Sequence, residues 1–165
     1  MEKNQICMGV IGEGDCSEEV ARVASEVGRQ IGERGALLFC GGRGGVMEAA
    51  ARGAKSAGGL TVGVLPGVSR KEANPYIDIA VVTGMGEARN VIIARSCHAL
   101  IAVGGMYGTL SEIAFACKFG TPVIGLNTWK IDRTGLSHSP VLQAKTPEEA
   151  VEMAFRMIQK REPNV

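Results

Sequence analysis

The sequence predicts an α/β fold: a doubly wound, mostly parallel sheet with helices on both faces. Short apolar runs alternate with segments of about 10–18 residues that have helical character. Glycine-rich turns separate the apolar runs from the segments that follow them. Because no linker or run of charge divides the chain, we expect a single domain over residues 1–165.

The first half of the chain contains three predicted strands and two predicted helices. The apolar runs 6–11, 36–40 and 60–65 suit parallel strands that are covered on both faces. The segment 17–34 is predicted to be helical because it starts with Ser and two Glu residues and its apolar residues recur on one face. The alanine-rich segment 46–57 predicts the second helix.

The second half continues the alternation after a polar loop. Its predicted elements are, in order, a strand over 77–82, a helix over 86–96, a strand over 99–103, a helix over 109–119, strands over 123–126 and 141–144, and a final helix that begins after Thr146. Gly120 is a typical residue just after a helix C-terminus, and Pro122 lies close behind it. Pro147 is typical of the first helical position.

The predicted topology brings four turns to one edge of the sheet. In open parallel sheets, ligands bind beyond the carboxyl ends of the strands, where the strand order reverses. The turns at 12–17, 41–45, 84–89 and 104–109 all follow predicted strands. We therefore expect the functional site at this edge.

Two of these turns share the pattern G-G-x-x-G and lead directly into a helix. Glycine permits positive φ and close approach of another group, and a helix N-terminus attracts anions. This arrangement predicts a phosphate cradle, with tight turns of no further function as the alternative. The predicted ligand-binding residues are Gly12, Gly41, Gly42, Arg43, Gly44, Gly45, Gly104, Gly105, Tyr107, Gly108 and Thr109.

Four polar or charged side chains lie near the predicted cradle, and one of them, Glu112, has two interpretations. Thr109 lies where an N-cap or first-turn residue is expected, and Glu112 follows at the spacing of a capping box. Alternatively, Glu112 points from the first helical turn towards the bound ligand. Arg43 and Arg89 add cations, and the planar guanidinium can bond two phosphate oxygens.

Several other kinds of chemistry are disfavoured. The first turn resembles a dinucleotide fingerprint, but the second strand ends at Cys40 without the acidic residue that binds ribose, and the P-loop lysine is absent. His98 and Cys97 are adjacent in an extended run and face opposite ways, so they form no catalytic pair. No residues have metal-ligand spacing, and we expect no metal.

The composition limits partners and location. A net charge of +1 gives no reason to expect nucleic acid or a membrane surface as a partner. The five cysteines are an odd number without C-x-x-C spacing, which favours free thiols in a reducing compartment. With neither a signal peptide nor a membrane span in the sequence, we expect a cytoplasmic protein.

The segments GGRGGVMEAAARGAKSAGG at 41–59, ARN at 88–90 and VGGMYGTLSE at 103–112 resemble the LOG family, also called lysine decarboxylase-like. They are still more similar to its small branch related to molybdenum cofactor carrier proteins and to DprA-like domains. The resemblance covers about residues 5–127. It implies a Rossmann-like fold and a homodimer or larger oligomer.

In the LOG branch, the resemblance implies a phosphoribohydrolase that cleaves the N-glycosidic bond of a nucleoside 5′-monophosphate. The family's catalytic Arg and Glu fall on Arg89 and Glu112. This chain has Asn90 where the LOG pattern has Lys, and Val103 where it has Pro.

The resulting prediction is a protein that binds a phosphorylated ribose or nucleotide-like ligand without a required cofactor. Its bound molecule is expected to be a nucleoside monophosphate or molybdenum cofactor. Hydrolysis, non-catalytic carriage of a phosphorylated cofactor and ligand sensing are the alternatives. The helices predicted at 86–96 and 109–119 are apolar on more than one side, which predicts a subunit interface there.

Overall fold

The computed structural model describes residues 5–161, and the strands in that range form one seven-stranded sheet. The strands are β1 (Cys7–Gly12), β2 (Leu37–Cys40), β3 (Thr61–Leu65), β4 (Ile79–Val82), β5 (Ala99–Val103), β6 (Val123–Leu126) and β7 (Val141–Gln143). Each pair of neighbouring strands is parallel. The predicted Rossmann-like α/β fold is confirmed. The ends of the predicted domain, residues 1–4 and 162–165, lie outside the described range.

Five α-helices connect or follow the strands. They are α1 (Glu18–Glu33), α2 (Val46–Ser56), α3 (Asn90–Ser96), α4 (Tyr107–Phe119) and α5 (Pro147–Arg161). Two short 3₁₀ turns, Arg70–Glu72 and Gly86–Arg89, precede β4 and α3. Within residues 5–161, no helix has both the length and the apolar character that crossing a membrane requires.

The strand order is β4-β3-β2-β1-β5-β6-β7, so the direction of winding reverses between β1 and β5. These two strands are paired in register from Met8 opposite Ala99 to Gly12 opposite Val103. Their carboxyl ends therefore lie side by side, and this is where such sheets bind ligands.

The core consists of two layers, one on each face of the sheet. Helices α1, α2 and α5 contribute side chains such as Val27, Ala50 and Val151 to one layer. Helices α3 and α4 contribute Ile93 and Ile113 to the other. Since successive strand residues face opposite sides, Val10 of β1 joins the first layer and its neighbour Ile11 joins the second. The sheet is thus covered on both faces, which explains its almost continuously apolar strands.

The structure corrects several predicted boundaries. The helix predicted over 86–96 is a 3₁₀ turn followed by the short α3, after a chain reversal at Gly86, whose φ is 56°. The predicted strand 77–82 begins only at Ile79 because the preceding residue, Asp78, turns its carboxylate to the backbone N–H of Thr61 at 2.9 Å. The predicted strand 141–144 ends at Gln143, although Ala144 N still donates to Gly125 O.

The outer surface of α3 and α4 generates a prediction about assembly. Val91 on α3 and Leu110, Phe115 and Phe119 on α4 are only half-buried. We expect the protein to sediment as a dimer or larger oligomer, and Val91→Glu to shift it towards the monomer because it places a charge in the contact. Leu60→Glu, at an exposed position before β3, is the control. A wild-type monomer at micromolar concentration would contradict the interface.

Candidate ligand-binding cleft

The carboxyl ends of β1, β2 and β5 surround a cleft of about 540 Å³, called here the main cleft. Its lining residues are Ile11, Gly12, Glu13, Gly14, Asp15, Gly41, Arg43, Gly44, Met47, Glu87, Arg89, Asn90, Met106, Gly108, Thr109 and Glu112. They come from the turns after β1, β2, β4 and β5, the four turns that the sequence places at one edge.

A second cleft of about 480 Å³ opens beside it, between α1 and the ends of β5 and β6. Its lining residues are Glu13, Glu19, Val20, Val23, Val103, Gly104, Gly105, Leu126, Asn127, Thr128 and Trp129. Asn127, at the end of β6, has a φ of 49°, which is uncommon for a residue other than glycine.

Arg89 is the most unusual residue of the main cleft because its charged side chain is buried. The residue is 6% exposed, and its Nε has no hydrogen-bond partner among residues 5–161. A Cβ at position 41 would lie only 2.5 Å from Arg89 Nη1, so the guanidinium occupies space that glycine leaves free. Arg89 can therefore take this position because residue 41 has no side chain.

Glu112 faces Arg89 from the first half of α4. The nearest charged atoms, Arg89 Nη1 and Glu112 Oε1, are 4.0 Å apart, which is too long for a hydrogen bond. Burial raises the pKa of Glu112 to about 8, although Arg89 lowers it and Glu87 contributes a smaller increase. At neutral pH this carboxyl group is therefore mainly protonated and does not neutralise Arg89.

Asn90 connects the two helices that hold this pair. Its side-chain amide donates to Ser111 Oγ at 3.0 Å, and Ser111 Oγ donates to Gly108 O at 2.6 Å. Asn90 is 3% exposed. It therefore ties the start of α3 to the first turns of α4, where the LOG pattern has the cationic side chain of Lys.

Both helices that begin at the main cleft lack a side-chain cap. The N-cap residue of α2 is Gly45 and that of α4 is Met106, and neither provides a side-chain hydrogen bond. In contrast, Ser17 caps α1 at Val20 N, and Thr146 Oγ1 accepts from Glu149 N at the start of α5. The first N–H groups of a helix have no acceptor within it, so the uncapped helices present donors at the cleft.

The start of α4 differs from the capping-box interpretation. The helix begins at Tyr107, so Thr109 lies in its first turn, 3% exposed, and is not the N-cap residue. The chain turns earlier because Gly104 and Gly105 both have positive φ, 57° and 107°. The prediction that Thr109 and Glu112 form a capping box is therefore wrong.

The predicted glycine positions have different environments. A Cβ at Gly105 would lie 2.5 Å from the side chain of Thr109, whereas a Cβ at Gly108 would have no neighbour within 4 Å. Gly108 is helical and is not among the glycines with positive φ. A larger side chain at position 108 can therefore extend into open space without the backbone strain expected at position 105.

The structure brings most of the predicted site residues together. Gly12, Gly41, Arg43, Gly44, Arg89, Gly108, Thr109 and Glu112 line the main cleft. Gly104 and Gly105 line the second cleft. Gly42 packs against Gly63 and Leu65, and Gly45 is the N-cap residue of α2. Tyr107 is 75% exposed, and its ring lies 5.7 Å from that of Trp129.

Two residues that sequence reasoning missed support the loops. Glu13 lies inside the first glycine turn, and its Oε2 accepts from Gly105 N at 2.8 Å. Asn74, buried in the polar loop before β4, donates to Arg43 O at 2.8 Å, and its N–H donates to Gly42 O. Two features of the sequence could have drawn attention to them: Glu13 is a carboxylate between two glycines, and Asn74 directly precedes Pro75.

The buried thiol of Cys40 anchors the backbone of the first glycine loop. Cys40 ends β2, and its Sγ accepts from Gly42 N at 3.3 Å. Burial raises the pKa of this thiol to about 12, so the reactive thiolate is scarce at neutral pH.

Fold and site together define a Rossmann-like α/β protein with a cleft between glycine loops at the reversal of its strand order. The chain belongs to the SLOG cluster4 family, whose model matches residues 5–151. A protein of Archaeoglobus fulgidus described as uncharacterized is 51% identical over 146 residues, 87% of this chain and 91% of that protein.

More distant similarity reaches the LOG proteins. A cytokinin riboside 5′-monophosphate phosphoribohydrolase of Mycobacterium tuberculosis is 34% identical over 120 residues. The match covers 67% of this chain and 64% of that protein. The chain thus spans just under two thirds of this relative.

Solved structures show similarity along almost the whole chain. The molybdenum cofactor binding protein of Rippkaea orientalis has a TM-score of 0.87 at 37% identity, and a Moco carrier protein of Chlamydomonas reinhardtii has 0.85 at 38%. Each match covers 95% of this chain and 99% of the other. DNA processing protein A of Helicobacter pylori has a TM-score of 0.68 at 16% identity over 92% of this chain and 80% of that one, and shows the fold alone. The predicted relationship to LOG proteins and cofactor carriers is confirmed, and the likeness to DNA processing protein A is one of fold.

The buried carboxyl group predicts a pH dependence of stability. Between its ordinary pKa of 4.5 and about 8, Glu112 retains a proton in the folded protein that the unfolded chain has released. Its contribution to the free energy of unfolding therefore falls as pH rises, by at most about 1.4 kcal/mol per pH unit. Denaturant unfolding of wild type and Glu112→Gln should show that the wild type loses stability relative to the variant over this range.

Glu72→Gln serves as the control because Glu72 is an exposed carboxylate that is not among the groups shifting the pKa of Glu112. Parallel stability curves for wild type and Glu112→Gln would show that the Glu112 carboxyl group is ionised in the folded protein.

Proposed function

We propose that the main cleft binds the phosphate group of a small ribose-containing or nucleotide-like ligand. The observation that carries this proposal is the buried Arg89, whose Nε has no protein acceptor among residues 5–161. Burying an ionised group without a hydrogen-bond partner is costly. An anion in the cleft would offset that cost, and phosphate suits the guanidinium geometry.

Backbone groups support the same ligand chemistry. The uncapped starts of α2 and α4 reach the cleft at Met47, Gly108 and Thr109. Their N–H groups and helix dipoles favour negative charge. Because Glu112 is mainly protonated at neutral pH, it competes little with a phosphate for Arg89. The volume of about 540 Å³ is typical of a small-molecule site.

Binding without hydrolysis is the favoured form of this function. Cleavage of an N-glycosidic bond develops positive charge on the ribose, which an ionised Glu112 would stabilise. Burial of Glu112 opposes that ionisation, and Asn90 supplies no cation. The similarity to molybdenum cofactor binding and carrier proteins over nearly the full chain supports carriage of a phosphorylated cofactor.

Phosphoribohydrolase activity is the second candidate, and one observation favours it. Arg89 and Glu112 lie together in the main cleft, as the LOG resemblance implies for the catalytic pair. The relative from Mycobacterium tuberculosis, whose name specifies a riboside 5′-monophosphate, supports the same class of ligand.

Removing the buried cation should weaken phosphate binding. We expect Arg89→Met to reduce the affinity for AMP and ribose 5-phosphate roughly 10- to 100-fold, the effect of losing charge-assisted hydrogen bonds. Calorimetric titration measures this change. Arg95→Met, with the same loss of charge at an exposed position of α3, should leave affinity unchanged.

A second pair of variants tests the position of the ligand. Gly108 lines the main cleft, so the side chain of Gly108→Val should occupy part of the cleft and weaken binding. The variant should still fold, because a Cβ at this position meets no atom within 4 Å. Ala114→Val places the same side chain at an exposed position of α4 and should bind normally. Unchanged affinity in both Arg89→Met and Gly108→Val, or no binding of either probe by the wild type, would refute the proposed phosphate site.

Product analysis separates carriage from hydrolysis. We expect no release of adenine from AMP above background at neutral pH, and native mass spectrometry should find an intact phosphorylated ligand on freshly purified protein. Adenine release at an ordinary enzymatic rate of roughly 1–10³ s⁻¹, abolished by Glu112→Gln, would instead establish the hydrolase.

A further inference from the structure

Glu13 separates the two clefts. Among residues 5–161 it is the single residue that lines both of them. It lies between Gly12 and Gly14, in the turn after β1, directly beside the point where the strand order reverses. In dinucleotide-binding folds, a pyrophosphate crosses this position, above the first glycine turn.

Two hydrogen bonds, one to its backbone and one to its side chain, hold Glu13 in place. Its backbone carbonyl accepts from Val46 N at 3.0 Å, at the first residue of α2. Its carboxylate accepts from Gly105 N at 2.8 Å, in the loop before α4. A Cβ at Gly104 would lie 3.0 Å from Glu13 Oε1, so glycine at that position leaves room for the carboxylate. Glu13 thus connects the turns after β1, β2 and β5.

This geometry changes the prediction for the second glycine loop. Gly105 N–H donates to a carboxylate of the chain itself, and Gly104 N–H donates to Leu126 O at 3.0 Å. Neither N–H is therefore free for an incoming anion while Glu13 keeps this position. The unsatisfied donors that remain for phosphate are those of the main cleft, near Arg89 and the first turn of α4.

We propose that Glu13 is a specificity-determining residue that admits a ligand with a single phosphate to the main cleft and rejects pyrophosphate-linked ligands. A second phosphate that extends towards the second cleft would approach the Glu13 carboxylate and would need the N–H that this carboxylate uses. Like charges at such short range repel strongly. The inference rests on the proposed phosphate site and specifies which phosphorylated ligands that site accepts.

Inorganic phosphate and pyrophosphate test the proposal without any organic group. Calorimetric titration compares the affinities of both anions for the wild type, Glu13→Gln and Glu13→Ala. Glu13→Gln removes the charge but keeps an oxygen that can accept from Gly105 N, so the loop retains its hydrogen bond. We expect both variants to raise the ratio of pyrophosphate to phosphate affinity at least about tenfold.

Glu18→Gln is the matched control, since it removes one negative charge at an exposed position shortly after the same turn and lines neither cleft. Its affinity ratio should stay near that of the wild type. If Glu13→Ala does not fold, Glu13→Gln decides the result. An unchanged ratio in Glu13→Gln, or an equal rise in Glu18→Gln, would overturn the role of Glu13.

The two proposals fail in different ways. If phosphate binds the wild type and Arg89→Met loses it, while the ratio is unchanged in Glu13→Gln, the phosphate site stands and only the inference about Glu13 fails. If neither anion binds the wild type or the variants, the proposed function fails, and the inference fails with it.

Discussion

The candidate site depends on one constraint, which is that the guanidinium of Arg89 is buried with too few hydrogen-bond acceptors around it. Arg89 lies against Gly41, where a single methyl group would overlap it, and 4.0 Å from Glu112. Because Glu112 is buried in the same place, its pKa rises and its charge is largely lost at neutral pH. The protein therefore retains a cation that its own side chains do not neutralise, and such a group supports the proposal that an anion binds in the cleft.

The glycine loops mainly shape the turns at the edge of the sheet, and not all of their N–H groups are free to bind an anion. Their positive φ values and close contacts allow β1, β2 and β5 to end in tight turns around one space. Within that space, Glu13 already satisfies Gly105 N and Val46 N, through its carboxylate and its backbone carbonyl. The donors that remain for the proposed anion are consequently those of Arg89 and of the uncapped helix starts.

This arrangement relates two groups of similar proteins. Arg89 and Glu112 lie together, as the resemblance to the LOG family implies for its catalytic Arg and Glu. The nearly full-length structural matches are to a molybdenum cofactor binding protein and a Moco carrier protein. Asn90 is the local difference from the LOG pattern: its amide bonds Ser111 and fastens α3 to α4, where a lysine would add charge. A site that holds a phosphorylated ligand without cleaving it is consistent with both comparisons.

The sequence alone determined the α/β alternation and the edge of the sheet where the main cleft opens, because periodicity and glycine turns are local properties. It also singled out Arg89 and Glu112, which line this cleft, as candidate site residues. It did not determine the start of α4, which follows from the φ values of Gly104 and Gly105. The contacts of Glu13 with Gly105 and of Asn74 with the first glycine loop join residues far apart in the chain. The protonation of Glu112 likewise depends on burial by several elements together. Only the tertiary structure decides such features, because desolvation and hydrogen bonding depend on distance in space and not on distance along the chain.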